Sequence, residues 1–252
     1  MTFVVDPASY DAFMGPYSGP LASQFADFAG IATGQSVLDV GAGTGILSAE
    51  LVSRVGASST VAVDPSPPFV AALEVRLAGV EVVPAAAEEL PFESSSFDAA
   101  LAQLVVHFMA DPVAGLTEMA RVVRTGGVVA ACVWDHGGGR GPLSPFWAAV
   151  RELDAAADDE SELAGAREGH LAELFSAAGL QNVESEAISV SARYTAFEDW
   201  WVPYTFGVGP AGAYVAALSD ERRTELRDLC RRRLPEPPFE ITAWAWAARA
   251  AA

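Results

Sequence analysis

The chain has 252 residues, 51% of them hydrophobic, which is enough for one large α/β domain with a sizeable core. No apolar run reaches the roughly 20 residues a bilayer span needs, and Met1 to Tyr10 show no basic stretch followed by an apolar one, so neither a membrane anchor nor a signal peptide is expected. A formal net charge of −18, with arginine as the only basic residue type, repels phosphate backbones and anionic lipid and so disfavours nucleic acid and membrane as partners; Cys132 and Cys230 form no CxxC pair, so no metal and no disulfide framework is expected and a cytoplasmic setting fits.

Residues 1–35 read as an N-terminal helical segment that Gly15, Pro16, Gly19 and Pro20 should keep from being one helix. Ser36–Val40 is a short apolar run ending in glycines, and Ile46, Leu47, Leu51, Val52 and Val55 follow at helical spacing. Thr60–Val63 reads as a second strand, after which Pro67 and Pro68 suit the first turn of a helix. Val80–Val83 and Phe97–Leu104 read as strands, Leu116–Val123 as a helix stopped by Gly126–Gly127, and Val128–Trp134 as a fifth strand. These strands are apolar without clean alternation, as a parallel sheet covered on both faces requires.

The later part has another rhythm. Ile188, Val190, Ala192 and Tyr194 alternate with Ser189, Ser191 and Arg193, which predicts a strand with one wetter face; Phe239–Arg249 closes the chain's strand pattern. Asp220–Leu234 reads as a helix whose Arg231–Arg233 run sits at the dipole's favourable end. Strands alternating with helices predict a doubly wound α/β domain. With no repeat or linker in the pattern, a single domain over 1–252 is expected: 36–135 as the ligand-binding core and 136–252 as a lid with the last strands.

The segment Val37–Gly45, VLDVGAGTG, has the strand, glycine turn and helix order that a ligand-cradling loop needs. Gly41, Gly43 and Gly45 permit a sharp turn and close backbone approach, while Ile46 stands where a dinucleotide fingerprint would continue with glycine. Asp39 lies two residues before the first glycine, where a carboxylate suits a cation better than a pyrophosphate. Asp64, closing the second strand, can accept both hydroxyl hydrogens of a ribose. The pair points to a positively charged, phosphate-free nucleoside. The bland alternatives are a turn residue bonding the loop N–H groups for Asp39 and a helix N-cap for Asp64.

On these residues the chain resembles the class I S-adenosylmethionine-dependent methyltransferases, in the branch of the ubiquinone and menaquinone C-methyltransferases. VLDVGAGTG resembles the family's first motif and VAVDPS its second; EELPFESSSFD resembles the stretch that brackets the adenine, and His107–Asp135 the fourth and fifth strand region. The chain departs at Ala86, where the family often has an aspartate, and at Thr125, where it has proline before Gly126-Gly127. The resemblance implies a Rossmann-like, doubly wound, mostly parallel seven-stranded sheet with helical lid insertions. It also implies S-adenosyl-L-methionine as cofactor, a small-molecule acceptor, and a monomer or homodimer. The cofactor set it points to is Asp39, Gly41, Ala42, Gly43, Gly45, Asp64, Pro65, Ala87, Glu88, Gln103 and Leu104, with Tyr17 covering the cofactor from the N-terminal segment.

Methyl transfer from an activated sulfonium needs mainly in-line positioning, and an oxygen nucleophile also needs a base. His107, after the fourth strand, and His136, after the fifth, are the candidate bases; a loop-capping role and an exposed loop position are their alternatives. His170 starts a helix away from the motifs and reads as structural. Trp134, Trp200, Trp201, Tyr204 and Phe206 could line an acceptor pocket or simply pack the lid on the sheet. Two other readings stay open at this point: a non-catalytic protein that binds the same cofactor, and a nicotinamide-dependent oxidoreductase.

Overall fold

In a computed structural model, residues 6–252 are described; residues 1–5 of the expected N-terminal segment lie outside the described residues. The chain runs α1 (Pro7–Phe28), β1 (Val37–Val40), α2 (Ile46–Val55), β2 (Thr60–Val63), α3 (Pro67–Arg76), β3 (Glu81–Val83) and β4 (Phe97–Gln103). It continues through α4 (Pro112–Val122), β5 (Val123–Trp134), α5 (Ser144–Leu153), α6 (His170–Ala177) and β6 (Gln181–Tyr194). Last come α7 (Phe197–Trp201), α8 (Gly209–Ala217), α9 (Asp220–Arg233) and β7 (Phe239–Ala251).

The sheet has seven strands in the order β3-β2-β1-β4-β5-β7-β6. β1 to β5 pair in parallel, and β7 runs antiparallel to both β5 and β6. This is the doubly wound, mostly parallel arrangement expected from the sequence. Alternate residues of one strand enter opposite layers: Ala99 and Leu101 join the core under α1, α2 and α5, whereas Ala100 and Ala102 join the one under α4 and α6. The strand order reverses between β1 and β4, and in such sheets that crevice at the carboxyl ends of the strands is where ligands bind.

Two expectations are corrected. Gly15, Pro16, Gly19 and Pro20 do not break the N-terminal segment, because α1 is one helix of 22 residues with both prolines inside it. Pro16 and Pro20 are exposed and four residues apart, so both lie on the solvent face, where water can reach the carbonyls they leave unbonded. The opposite face buries Phe13, Met14, Leu21 and Phe25. At about 1.5–3 kcal/mol for each such side chain, this burial offsets about 3 kcal/mol for each proline.

Gly126 and Gly127 are likewise not a helix stop. α4 ends at Val122, and both glycines lie inside β5. A Cβ on Gly127 would stand 2.5 Å from the Asp98 carbonyl oxygen, so the glycine permits β4 and β5 to approach closely at their start.

Candidate functional site

Four loops leave the carboxyl ends of β1 to β4 and enclose a cavity of about 310 Å³. The glycine loop forms its floor. Gly41 and Ala42 donate to the Val63 carbonyl at 2.8 and 2.9 Å, which folds the turn back on β2. Gly41 has φ +71°, and a Cβ there would lie 2.5 Å from Val105 Cγ1; Gly43 has φ +56° with open space where its Cβ would point. Gly45 lies outside the cavity lining, and a Cβ on it would strike Leu73 of α3 at 2.6 Å.

Asp64 ties two loops together. One carboxylate oxygen accepts from Gly43 N and the other from Ser66 N, both at 2.8 Å. Asp64 is not the cap of α3, whose N-cap position is Ser66. Burial pushes its pKa up, against the pull of those two N–H donors. Asp39, 1% exposed at the end of β1, accepts a 2.5 Å hydrogen bond from Ser48 Oγ of α2 and takes none from the glycine-loop N–H groups. Burial drives its carboxyl up to about 7, with Ser48 opposing and the nearby Asp64 charge adding to the rise. No arginine, lysine or histidine lines this cavity, so its field is negative.

Of the residues expected around the cofactor, Asp39, Gly41, Ala42, Gly43, Asp64, Pro65, Ala87, Glu88, Gln103 and Leu104 line the cavity. Glu88 Oε1 accepts from Ala110 N at 2.7 Å and Asp111 N at 3.2 Å, so its side chain braces the loop after β4. Leu104 holds φ +62°, a rare state for a leucine and one that concentrates at functional sites. Tyr17 is not in the lining. It is 2% exposed, packs edge-on to Trp134 and accepts a 3.1 Å hydrogen bond from the Tyr194 hydroxyl, which makes it a core residue.

Sequence reading missed the residues that α1 supplies instead, Tyr10 and Ser18. Asp11 fixes this helix over the glycine loop by accepting from Thr44 Oγ1 at 2.5 Å and pairing with Arg76, which also donates to the Thr44 carbonyl at 2.6 Å. Ser18 Oγ and Gln103 Oε1 are buried, line the cavity and have no hydrogen-bond partner. Unpaired buried polar atoms cost about 1–3 kcal/mol each, so the cavity presents them to a ligand able to bond them.

A narrower cleft of about 40 Å³ adjoins the cavity, sharing Tyr10, Leu104 and Phe108 with it. His107, Trp134, His136 and Glu160 line this cleft. The His107 and His136 rings lie 6.2 Å apart. Burial lowers His107 to about 3, helped by His136, and lowers His136 to about 4 against the pull of Asp159 and Asp135. Both imidazoles are therefore neutral near pH 7.

Trp200, Trp201 and Tyr204 line neither cavity. They are buried together, and Tyr204 stacks on Phe146 at 4.5 Å, so they form the core that seats α1 and α5. Phe206 is 43% exposed. Arg231 and Arg227 pair with Glu198, and Arg233 with Glu152, at the surface. His170 Nδ1 accepts from Gly165 N at 3.2 Å, a structural role. Among the described residues, no helix is long and apolar enough to cross a membrane, and no group of His, Cys, Asp and Glu could hold a metal ion.

The raised Asp39 pKa has a stability consequence. Between its ordinary 3.8 and about 7 the folded state binds this proton more tightly than the unfolded chain does, so the contribution is fully present below about 3.8 and is lost as pH rises through about 7. Relative to wild type, Asp39→Asn should therefore gain thermal stability as pH rises across that window in the ligand-free protein. A constant difference in melting temperature between the two would contradict this assignment.

Residues 38–131 match the family model described as methyltransferase domain. An uncharacterized methyltransferase of Mycobacterium bovis is 39% identical over 104 residues, 41% of this chain and 41% of that protein. The ubiquinone/menaquinone biosynthesis C-methyltransferase of a Geobacter species is 37% identical over 102 residues, 37% of this chain and 43% of its own. The chain thus covers less than half the length of these curated relatives. Among solved structures, a phosphoethanolamine N-methyltransferase of Haemonchus contortus in complex with phosphomonomethylethanolamine and S-adenosylhomocysteine has the same fold. The two superpose with a TM-score of 0.58 at 20% identity, over 97% of this chain and 56% of that one.

Proposed function

We propose that this chain, whose residues 38–131 match the methyltransferase domain model, transfers a methyl group from S-adenosylmethionine to a small-molecule acceptor and releases S-adenosylhomocysteine. One observation carries the reading: a cavity of about 310 Å³ at the sheet's switch point, with two buried carboxylates and no basic side chain in its wall. A phosphate-bearing dinucleotide would be repelled there, whereas a cationic nucleoside is attracted.

The residues present fit that molecule. Asp64, already oriented by Gly43 N and Ser66 N, keeps lone pairs for the two ribose hydroxyls. Ser18 Oγ and Gln103 Oε1, otherwise orphaned, suit the charged amino-acid end. Ala87 and the backbone of Glu88, with Phe108 and Met109, offer a mostly apolar wall for the adenine. Asp39 supplies negative potential beneath the cation. When bound, the cofactor supplies an electrophilic methyl group on a sulfonium. The protein's share is positioning: 36–135 as the cofactor-binding part, α1 as a cover, and 136–252 as the acceptor-side lid and closing strands.

A calorimetric titration with S-adenosylhomocysteine tests this. Micromolar binding that NADH does not compete is the expected result, and no heat at millimolar ligand would contradict it. One observation favours a second reading, binding without turnover: the two imidazoles at the cleft are weak bases, at about 3 and 4. Cofactor binding with no turnover across a broad acceptor panel would support that alternative.

A further inference from the structure

We propose that the cleft beside the cofactor cavity receives the reacting end of a hydroxyl-bearing, largely apolar acceptor, and that the Glu160 carboxylate takes the hydroxyl proton. This rests on the methyltransferase reading and deepens it.

Glu160 is only 4% exposed and lines the cleft. Its Oε2 accepts a 2.7 Å hydrogen bond from Trp147 Nε1 of α5, which fixes the side chain's direction. Its Oε1 forms no hydrogen bond and is not fully buried, on a residue that lines the cleft. Two further polar atoms in the same lining are buried and unpartnered, His107 Nδ1 and Trp134 Nε1. A folded protein rarely tolerates such atoms at one spot unless water or a ligand completes them. Apart from Tyr10, the rest of the wall is apolar, with Phe13, Met14, Leu143 and Val208 among its residues. At about 40 Å³ the cleft admits the edge of a ring or a short chain end and excludes a bulky headgroup.

The donor set selects the nucleophile. Beside a buried carboxylate an amine is held as ammonium, which has no lone pair to attack with. A hydroxyl in the same place gives up its proton and gains nucleophilicity. In the step, the acceptor oxygen forms the new O–CH₃ bond, the C–S bond breaks with its electron pair going to sulfur, and the proton passes to Glu160 Oε1. His107 and His136 stay neutral and orient the acceptor. Burial raises Glu160 to about 7, opposed by Trp147 and reinforced by Asp159, so it holds a proton far better than either imidazole. The titratable groups around it are Asp159 next in the chain, His107 and His136 in the cleft wall, Tyr10 from α1, and Tyr204 from the turn at Val202–Phe206. Arg151 and Ser161 N already engage Asp159.

The probe is 4-fluorophenol, followed by fluorine NMR on wild type and Glu160→Gln, each saturated with S-adenosylhomocysteine. The glutamine can still accept from Trp147, so the fold and the affinity for S-adenosylhomocysteine should be unchanged. Phenol affinity should fall about tenfold or more, the worth of one hydrogen bond to a charged acceptor. In wild type it should rise as pH passes up through about 7, and the variant should lack this rise. Equal affinities in the two proteins, no saturable phenol binding to wild type, or tighter binding of 4-fluorobenzylamine than of the phenol would each overturn the proposal. If neither protein binds S-adenosylhomocysteine, the cofactor reading fails instead, and phenol binding to the ligand-free protein still decides the cleft.

Discussion

Asp64→Ala is expected to weaken S-adenosylhomocysteine binding at least a hundredfold while the protein stays folded. The carboxylate makes two kinds of contact at once. It orients the glycine loop and the loop after β2 through Gly43 N and Ser66 N, and it offers its remaining lone pairs to the ribose. Each hydroxyl bond to a charged acceptor contributes about 1.5–3 kcal/mol, so losing two corresponds to a hundredfold even at the low end. Asp64→Asn separates the two roles, because it keeps the shape and one acceptor but loses the charge; it should fall between wild type and alanine. Calorimetry on the three proteins measures this directly. Affinities for Asp64→Ala within a few fold of wild type would move the ribose elsewhere.

Gly43→Leu should abolish cofactor binding and lower the melting temperature by only a few degrees. The position has φ +56° but no protein atom near its would-be Cβ, so the fold bears about 1–2 kcal/mol of left-handed strain and little else. The new side chain would occupy space in the cavity that Gly43 lines. Gly41→Leu gives the contrast, since its Cβ would meet Val105 at 2.5 Å and destabilise the fold as well. If Gly43→Leu kept its affinity in the same titration, the ligand would not rest on the glycine loop.

These outcomes depend on features that differ in how far the chain's pattern displays them. The parallel core was legible, because continuous apolar runs such as Val37–Val40 and Thr60–Val63 are buried from both sides and carry their turn signals beside them. So were Asp39 and Asp64, since a carboxylate at the end of an apolar strand has no packing reason to be there. α1 was not legible as one helix. Local propensity counts two prolines and two glycines, but cannot count the tertiary burial of Phe13, Met14, Leu21 and Phe25. Gly126 and Gly127 were misread for a related reason: the close approach of Gly127 to Asp98 depends on a neighbouring strand.

The site shows the same division. Residues on the loops after β1, β2 and β4 fall in the cavity lining because the motif order fixes where those loops meet. Tyr17 does not, since it packs against Trp134 and Tyr194 in the core, and α1 is seated over the glycine loop by Asp11, Thr44 and Arg76, far apart in sequence. The aromatic residues Trp200, Trp201 and Tyr204 went to the core, which aromatic composition alone does not distinguish from a pocket wall. Glu160 was missed because it stands in a stretch of acidic residues, 158–160, that reads as solvated surface; only the fold shows it buried beneath Trp147.

The most direct test of the account is a crystal structure of the protein with S-adenosylhomocysteine. The expected complex has the ribose hydroxyls on the Asp64 carboxylate, the adenine against Ala87 and Glu88, and the amino-acid end between Ser18 and Gln103. A nucleoside bound outside this cavity, or with its ribose turned away from Asp64, would contradict it.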